Sequence, residues 1–385
     1  MLRPPDRGPL GTLPAPAAAG SRSDGSRRRD RVADADADRW FVEYRDALED
    51  AMRRGLGDRA GAPSGPLAAR LQASLADATE GGKRFRPALL GVAYRAWGGT
   101  DPAASGAVGA ALELLHTGFV VHDDVIDADD TRRGRPSVLG AHTGAAEARG
   151  VAADLARAYG VAAGILAGDL LLTAAIRTVA SAPVQPATAS RLLDLFDGVL
   201  RISAAGELAD VWLGVARESA TTDDALVVAE RKTAEYSFAL PLQAAAVLAG
   251  RSAVTVAAAG EVGRCLGTAY QLLDDLQGVF GELGVTGKSR VSDLRSGKQT
   301  VLVAHARTTE AWPEISRYVG LATITEEQAE VARGLLTASG SRAHVQRVAG
   351  GYVDRAAELA HGSCMPPDLV AWLADLGSEL LGGVA

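Results

Sequence analysis

Two pairs of adjacent aspartates are the residues whose types and spacing most directly suggest chemistry. Asp123 and Asp124 precede Asp127 in HDDVID, and Asp274 and Asp275 lie in YQLLDD. On a helix, positions i and i+4 share a face, so Asp123 and Asp127 project side by side. Carboxylates this close repel one another unless a cation lies between them. Mg²⁺ suits the arrangement, because it takes oxygen ligands from one or two carboxylates and bridges to substrate phosphates.

The second aspartate pair follows an apolar helical run, as the first does. Gln271 precedes Asp274 and Asp275 by three and four residues, so it shares their helix face. Two acid-bearing helices that face each other across a bundle core would hold several metal ions between opposite walls. A solvated acidic surface is the alternative, and the apolar run ALELLHTGFVV before the first pair counts against it. We therefore predict a metal site that uses both pairs.

Basic residues cluster in glycine-rich or polar motifs of the same chain. Only four of the 40 basic residues are Lys. A Lys kept in an Arg-rich chain indicates a position that needs a compact point charge, such as a contact to a terminal phosphate, although chance placement is the alternative. The cations concerned are Lys83 in GGKRFRP, the pair Arg132 and Arg133, Lys232 in RKTA, Lys288 in TGKS and Lys298 in SGKQT. They are too many for one phosphate group, so we predict two polyanions, one held through metal and the other by side chains.

The elements that position these residues are predicted to be helices. From Trp40 onward apolar residues recur at helical spacing, and no block of β-branched residues alternates with polar ones, which indicates an all-α fold. The acidic motifs end helices predicted at about 103–127 and 254–280. Residues 1–36, rich in Pro, Gly, Ala and then Arg, are predicted to be a disordered tail. Residues 37–385 contain no long polar linker and are predicted to form a single domain.

The composition excludes several classes of protein. A net charge of −7 rules out a generally basic surface for nucleic acid. Two cysteines provide neither a disulfide framework nor a zinc site, which indicates a reducing compartment and a cytoplasmic protein. Because no run reaches the roughly 18 uninterrupted apolar residues of a spanning helix, we expect no membrane insertion.

The order of the motifs identifies a family. GGKRFRP, ELLH, HDDVID with DDTRRGRP, KTA, YQLLDD, GKS and SGKQT follow one another as they do in trans-isoprenyl diphosphate synthases, which the chain resembles over about residues 60–305. The resemblance implies an all-α isoprenoid-synthase helical bundle with its active site in the central cavity, usually a homodimer. It also implies head-to-tail condensation of isopentenyl diphosphate with an allylic diphosphate of five to fifteen carbons. The implied cofactor is Mg²⁺, with three ions when the allylic diphosphate is bound.

The resemblance further implies a role for each motif residue. The direct Mg²⁺ ligands would be Asp123, Asp127 and Asp274, with Asp124 and Asp275 supporting them. The isopentenyl diphosphate contacts would be Lys83, Arg86, His116 and Arg133. The allylic diphosphate contacts would be Arg132, Lys232, Thr233, Gln271, Lys288 and Lys298, with Asp293 assisting near Lys288. Of these residues, the ones expected to take part in catalysis are Asp123, Asp124, Asp127, Arg132, Lys232, Asp274 and Asp275.

This inventory fits ionisation chemistry, which needs no Ser or Cys nucleophile. Metal and cations stabilise the charge that grows on the departing diphosphate, and the isopentenyl double bond then attacks the allylic cation. Product length depends on the depth of the apolar pocket. Phe119, with Gly118 beside it, lies one turn before Asp123, where its ring would form the pocket floor; ordinary core packing is the alternative. We therefore expect a C20 product, geranylgeranyl diphosphate, ahead of C15 farnesyl diphosphate.

The chain departs from the family pattern at two positions. Gly278 stands where the second acidic motif often has a third Asp, and Glu207 stands where the family usually has Gln after Gly206. We expect activity to survive the first change, and the effect of the second is open. Two other functions are alternatives: a class I terpene cyclase and a non-catalytic partner subunit of a prenyl synthase. A cyclase commonly carries an Asn-led second metal motif, whereas this chain has no Asn and retains GGKRFRP.

Overall fold

The computed structural model describes residues 24–57, 64–216, 220–281 and 292–383, so Lys288 and the first 23 residues of the predicted tail lie outside the described residues. Helices dominate the described chain, which confirms the all-α prediction. The α-helices are α1 (Asp24–Leu56), α2 (Pro66–Thr79), α3 (Phe85–Ala96), α4 (Pro102–Ile126), α5 (Val138–Glu147), α6 (Ala153–Ala180), α7 (Pro186–Ala216), α8 (Thr222–Val228), α9 (Leu240–Leu248), α10 (Ala253–Phe280), α11 (Ser292–Ser296), α12 (Val301–Ala306), α13 (Trp312–Ile315), α14 (Glu326–Ala338), α15 (Ser341–His361) and α16 (Pro367–Gly382). A π-helical segment, Ala229–Ala239, connects α8 to α9, and the strands β1 (Thr131–Arg132) and β2 (Arg135–Pro136) pair antiparallel.

The first helix begins earlier than the sequence pattern suggests. We predicted a tail through residue 36, yet α1 begins at Asp24. After Gly25 this segment contains neither Gly nor Pro and is rich in Arg, which favours helix even where no apolar stripe is present. The tail assignment therefore does not describe residues 24–36, and for residues 1–23 it stays a prediction.

The described residues form two compact units. The N-terminal unit comprises the described residues up to Asp194 together with Val247–Gly250. The C-terminal unit comprises Leu195–Ala246 and the described residues from Arg251 onward. The single domain predicted for residues 37–385 stays a prediction.

The N-terminal unit is built around α4. This helix packs against α1, α3 and α6, and its Leu112, Leu114 and Leu115 are fully buried. Its start is fixed by Asp101, whose carboxylate accepts hydrogen bonds from the first backbone N–H groups of the helix. On α1, the Tyr44 hydroxyl donates to the Pro87 carbonyl at 2.7 Å, which ties the end of GGKRFRP to the core.

The C-terminal unit is built around α10. The π-helical segment and α15 pack against this helix. A Cβ atom at Gly263 would lie 2.5 Å from the Cα of Ala239, and one at Gly267 would lie 2.6 Å from the Cα of Ala234. Only glycine allows two backbones to come this close, so these two residues bring the π-helical segment, which carries Lys232, against α10.

Among the described residues, two helices, α4 and α6, are long and apolar enough to cross a membrane by length and composition. In α4, 83% of the apolar stretch is buried inside the protein, as expected for a core helix. In α6 the buried share is 44%.

Candidate active site

The first acidic motif lies at the C-terminal end of α4. Asp124 is buried, with 3% of its surface exposed, whereas Asp123 is half-buried and Asp127 is exposed. Adjacent residues of a helix point about 100° apart, so burying one aspartate of the pair turns the other toward solvent. The two aspartates at i and i+4 are therefore the accessible ones, as a pair of direct metal ligands requires.

Arg132 of strand β1 holds this motif together. Its Nη2 lies 3.1 Å from Oδ2 of Asp123, and its Nε donates to Oδ1 of Asp124 at 2.6 Å. Burial raises the pKa of Asp124 to about 6, because desolvation outweighs the attraction of Arg132. The family resemblance implies that Arg132 contacts a diphosphate, and the structure places its guanidinium directly against the proposed metal-binding carboxylate of Asp123.

The basic motifs of the N-terminal unit have unusual backbone conformations. Arg84 has φ 48° and Arg133 has φ 52°, in the left-handed region that non-glycine residues rarely adopt. A Cβ atom at Gly82 would lie 3.1 Å from Nη1 of Arg133, so the glycine lets the GGKRFRP loop approach this side chain. The exposed Lys83 follows directly. Strained backbone of this kind concentrates at functional sites, where the surrounding structure holds it in place.

His116 lies among these cations. Burial lowers its pKa well below 6.5, and the positive charges of Arg86 and Arg133 lower it further. The ring is therefore neutral at physiological pH. Since the charges of Arg86 and Arg133 act on His116, these three of the four residues assigned to the isopentenyl diphosphate lie close together. The fourth, Lys83, directly follows Gly82, which lies beside Arg133.

A cavity of about 250 Å³ connects the cation cluster to the first acidic motif within the N-terminal unit. Its lining includes Glu113, His116, Asp124, Arg132 and Arg133. Glu113 was not among the predicted site residues; it is 5% exposed and accepts a hydrogen bond from Nη1 of Arg84 at 3.0 Å. A Glu inside the apolar run ALELLH was the available signal, because a buried carboxylate requires a cationic partner.

The second acidic motif, in the C-terminal unit, also buries its second aspartate and leaves the first more accessible. Asp274 is exposed, whereas Asp275 is 8% exposed and accepts hydrogen bonds from Gln271 and Lys298, each at 2.9 Å. The first of these bonds joins the i and i+4 residues that we predicted to share a face. Burial raises the pKa of Asp275. For Lys298 burial acts in the opposite direction, but nearby carboxylates, with that of Asp275 foremost, raise its pKa well above 10.5.

Lys232 lies between two carboxylates of α7. Its Nζ is 3.0 Å from the Glu207 carboxylate and 2.8 Å from that of Asp210. Gly206 allows α7 and the π-helical segment to approach closely here, because a Cβ atom at this position would lie 2.6 Å from the backbone nitrogen of Lys232. Thr233, half-buried, follows in the π-helical segment. The Gln-to-Glu departure noted in the sequence thus adds a second negative charge to this lysine.

The acidic residues fit Mg²⁺ rather than a metal enclosed by protein ligands. In the part of the chain that the structure describes, no group of three or more His, Cys, Asp or Glu side chains could hold a metal ion. Mg²⁺ needs only one or two carboxylates when phosphate oxygens and waters complete its shell. The accessible carboxylates of Asp123, Asp127 and Asp274 meet this requirement.

The residues predicted to set product length lie in the C-terminal half of α4, one turn before the first acidic motif. Gly118 is buried, and a Cβ atom there would lie 2.8 Å from Cδ2 of Leu172, so the glycine serves the close packing of α4 on α6. Phe119 is half-buried, and its role as a pocket floor stays a prediction.

Comparison with known proteins identifies clear relatives. The model of the polyprenyl synthetase family matches residues 68–333. A geranylgeranyl diphosphate synthase of Methanosarcina mazei is 31% identical over 72% of this chain and 79% of its own length. One of Mycobacterium tuberculosis is 33% identical over 75% of this chain and 78% of its own. The structure of a Corynebacterium glutamicum geranylgeranyl pyrophosphate synthase, complexed with isoprenyl diphosphate and magnesium, aligns with a TM-score of 0.80 at 28% identity, covering 88% of this chain and 98% of that protein.

Proposed function

We propose that this chain, which belongs to the polyprenyl synthetase family and is a prenyltransferase, condenses isopentenyl diphosphate with an allylic diphosphate to give geranylgeranyl diphosphate. One observation carries the proposal beyond family membership. Each of the two acidic motifs buries its second aspartate against a cation, Arg132 in one and Lys298 in the other, and leaves its first aspartate more accessible than the second. A non-catalytic subunit would not need to keep both arrangements intact.

Different side chains bind each of the two substrates. Lys83, Arg86, His116 and Arg133 bind the isopentenyl diphosphate, and neutral His116 contributes a hydrogen bond without adding charge. Arg132, Lys232, Thr233, Gln271, Lys288 and Lys298 bind the allylic diphosphate and stabilise the charge that grows as it departs. Mg²⁺, held by Asp123, Asp127 and Asp274, supplies further neutralisation of that charge when bound. We propose three ions.

The same site supports the reaction by orientation. Ionisation of the allylic substrate breaks its C–O bond, and the isopentenyl double bond, held nearby by its own diphosphate contacts, forms the new C–C bond. A proton then leaves the isopentenyl-derived carbon, and the departing diphosphate is the acceptor that needs no further side chain. Apolar surroundings protect the cation from water.

Product analysis tests this function. Purified protein receives Mg²⁺ and isopentenyl diphosphate with C5, C10 or C15 allylic diphosphate in separate reactions. A discrete C20 product supports the proposal, and the names of the two sequence relatives above favour it. A C15 product indicates a farnesyl diphosphate synthase, consumption of an allylic diphosphate alone indicates a cyclase, and no turnover in any reaction indicates a non-catalytic subunit.

Phe119 offers a test of product length. If its ring is the pocket floor, Phe119→Ala lengthens the product beyond that of the wild type. An unchanged distribution of chain lengths means that the ring is ordinary core packing.

We also propose that the protein is a cytoplasmic homodimer. Ile165, Leu166 and Leu170 lie on one face of α6 and are 45–53% exposed, and a second copy would bury this face. Leu166→Glu should yield monomers in light scattering, whereas Leu67→Glu, at a 66% exposed position on α2, should leave the dimer intact. A monomeric wild-type protein would contradict the proposal.

A further inference from the structure

We propose that Arg307 is a positioning residue for the allylic diphosphate, because it ties the loop that carries Lys298 to the start of the helical segment that carries Lys232. The inference rests on the proposed function, in which these two lysines contact the allylic diphosphate. Arg307 directly follows α12 and lies in the C-terminal unit together with both lysines. It acts through the chain segments that it holds and not by touching substrate.

The first contact of Arg307 is with the SGKQT loop. Its Nη2 donates a hydrogen bond to Oε1 of Gln299, which follows Lys298 and is only 6% exposed. The Gln299 amide nitrogen in turn donates to the carbonyl of Gly297, on the other side of Lys298. A guanidinium only donates hydrogen bonds, so it fixes the direction in which the amide faces. The buried amide therefore spans the lysine, and Arg307 holds the amide.

The backbone that presents Lys298 is a tight turn. Gly297 has a φ of 69°, in the left-handed region, and a Cβ atom there would lie 3.0 Å from the Cα of Gly320. From this turn Nζ of Lys298 reaches Asp275 of the second acidic motif at 2.9 Å. Without the guanidinium, the buried oxygen of Gln299 loses this donor, which favours reorientation of the amide. The turn before Lys298 then loses a hydrogen bond that holds it in place.

The second contact of Arg307 is with the segment that precedes α8. Its Nη1 donates to the carbonyl of the buried Ala220 at 3.4 Å. The next residue, Thr221, caps α8, which continues directly into the π-helical segment that carries Lys232. Helix α12 also packs against α8. One guanidinium therefore holds both chain segments that lead to the two lysines.

The shape of the guanidinium matters to these contacts as well as its charge. Its central carbon lies 5.3 Å from the centre of the Trp312 ring, within the range of a cation–π contact. The planar group directs different N–H bonds at different acceptors, whereas a lysine ammonium is a compact point charge. Replacing Arg307 by Lys therefore keeps the charge and loses the two-armed geometry, so that the two contributions can be separated.

The test distinguishes a positioning role from a general loss of structure. For Arg307→Gln and Arg307→Lys, steady-state kinetics give KM for each substrate, calorimetry gives the Mg²⁺-dependent dissociation constant of inorganic diphosphate, and thermal unfolding reports folding. Arg307→Gln should raise the allylic KM and the diphosphate dissociation constant by roughly 10- to 100-fold, because groups that lose their support bind less tightly on this scale. KM for isopentenyl diphosphate should stay near that of the wild type, since its proposed contacts belong to the N-terminal unit. Arg307→Lys should resemble Arg307→Gln.

The matched control is Arg355→Gln on α15. The side chain of Arg355 is 60% exposed and pairs with Glu358, so its loss should change none of these values.

Two more variants show whether Arg307 acts through the loop. Gln299→Met removes the hydrogen bonds of the amide at similar size and should reproduce a large part of the loss in Arg307→Gln. Lys298→Met removes a proposed diphosphate contact and keeps the length of the side chain. Adding Arg307→Gln to Lys298→Met should cost less affinity for diphosphate than Arg307→Gln costs in the wild type, because residues that act as a unit are not additive.

An allylic KM near wild type in Arg307→Gln, an equal rise in both KM values, recovery in Arg307→Lys or fully additive losses with Lys298→Met would overturn the inference. If Arg307→Gln does not fold, Gln299→Met decides, because it leaves the guanidinium in place and releases only the loop. A wild-type protein that binds Mg²⁺ and diphosphate but condenses nothing contradicts the proposed function, and the binding measurements then decide the inference. A wild-type protein that does neither overturns both.

Discussion

Glu207 should weaken the binding of the allylic diphosphate, and its replacement by Gln should tighten it. Lys232 already has Asp210 at 2.8 Å, so the second carboxylate at 3.0 Å is not needed to hold the amine in place. Glu207→Gln removes one negative charge from the immediate surroundings of a proposed diphosphate contact and keeps the side-chain shape and a hydrogen-bond acceptor.

The size of the effect follows from the distances. A diphosphate oxygen bound to Nζ lies about 3 Å from it, and hence within about 6 Å of the Glu207 carboxylate. Two unit charges about 6 Å apart repel by roughly 3 kcal/mol at an effective dielectric constant of about 20. Because the Glu207 side chain is 21% exposed, screening by water and salt reduces this to about 1–2 kcal/mol, or roughly 5- to 30-fold in affinity.

The assay measures KM for the allylic diphosphate at saturating isopentenyl diphosphate and Mg²⁺, together with Mg²⁺-dependent binding of inorganic diphosphate. In Glu207→Gln, the KM for the allylic diphosphate and the dissociation constant for inorganic diphosphate should each fall by about tenfold. The difference from wild type should shrink at high salt. Asp197→Asn, an exposed position of the same helix that pairs with Arg201, removes the same charge and should change neither value. An unchanged or higher KM in Glu207→Gln would refute the electrostatic reasoning.

Two further predictions concern pH and packing. Burial and neighbouring cations lower the pKa of His116 below 6.5. Near and below that pH the unfolded chain therefore binds more protons than the folded one, so this residue makes stability fall as the pH drops through about 6.5. Nuclear magnetic resonance of the ring should show no titration midpoint at or above 6.5. Gly206→Ala should destabilise the C-terminal unit by about 1–3 kcal/mol in urea unfolding, because the new Cβ atom would meet the backbone of Lys232. Gly198→Ala is the control: it lies on the same helix with open space around it and should be neutral or stabilising. Equal effects of the two substitutions would contradict the close approach at Gly206.

The two helices that carry the acidic motifs could be predicted from the sequence, because a long run of apolar residues at helical spacing is a strong signal. It also predicted that Gln271 and Asp275 share a face, and they are hydrogen-bonded. Which aspartate of each adjacent pair is buried could not be read from the pattern, since burial depends on the helices packed around it. The family resemblance implied only that Asp124 and Asp275 support the direct ligands, and both of these residues are buried.

Other features left no readable signal. The strand that carries Arg132 is two residues long, too short for any alternation to appear. The π-helical segment around Lys232 differs from an α-helix only in its hydrogen-bond spacing, which composition does not encode. The Asp293 carboxylate lies where a Cβ atom at Gly278 would be. This close approach depends on how the chain returns to α10, and no local pattern specifies that path.

The left-handed conformations of Arg84 and Arg133 imply a trade-off between thermal stability and function. A non-glycine residue in that region costs about 1 kcal/mol or more, which glycine would largely avoid. Selection for heat resistance alone would therefore favour glycine at both positions. It would remove the guanidinium of Arg133 from the proposed isopentenyl diphosphate site and that of Arg84 from its hydrogen bond with buried Glu113. Engineering a more heat-resistant form of this protein should leave these two arginines in place and seek its gains elsewhere.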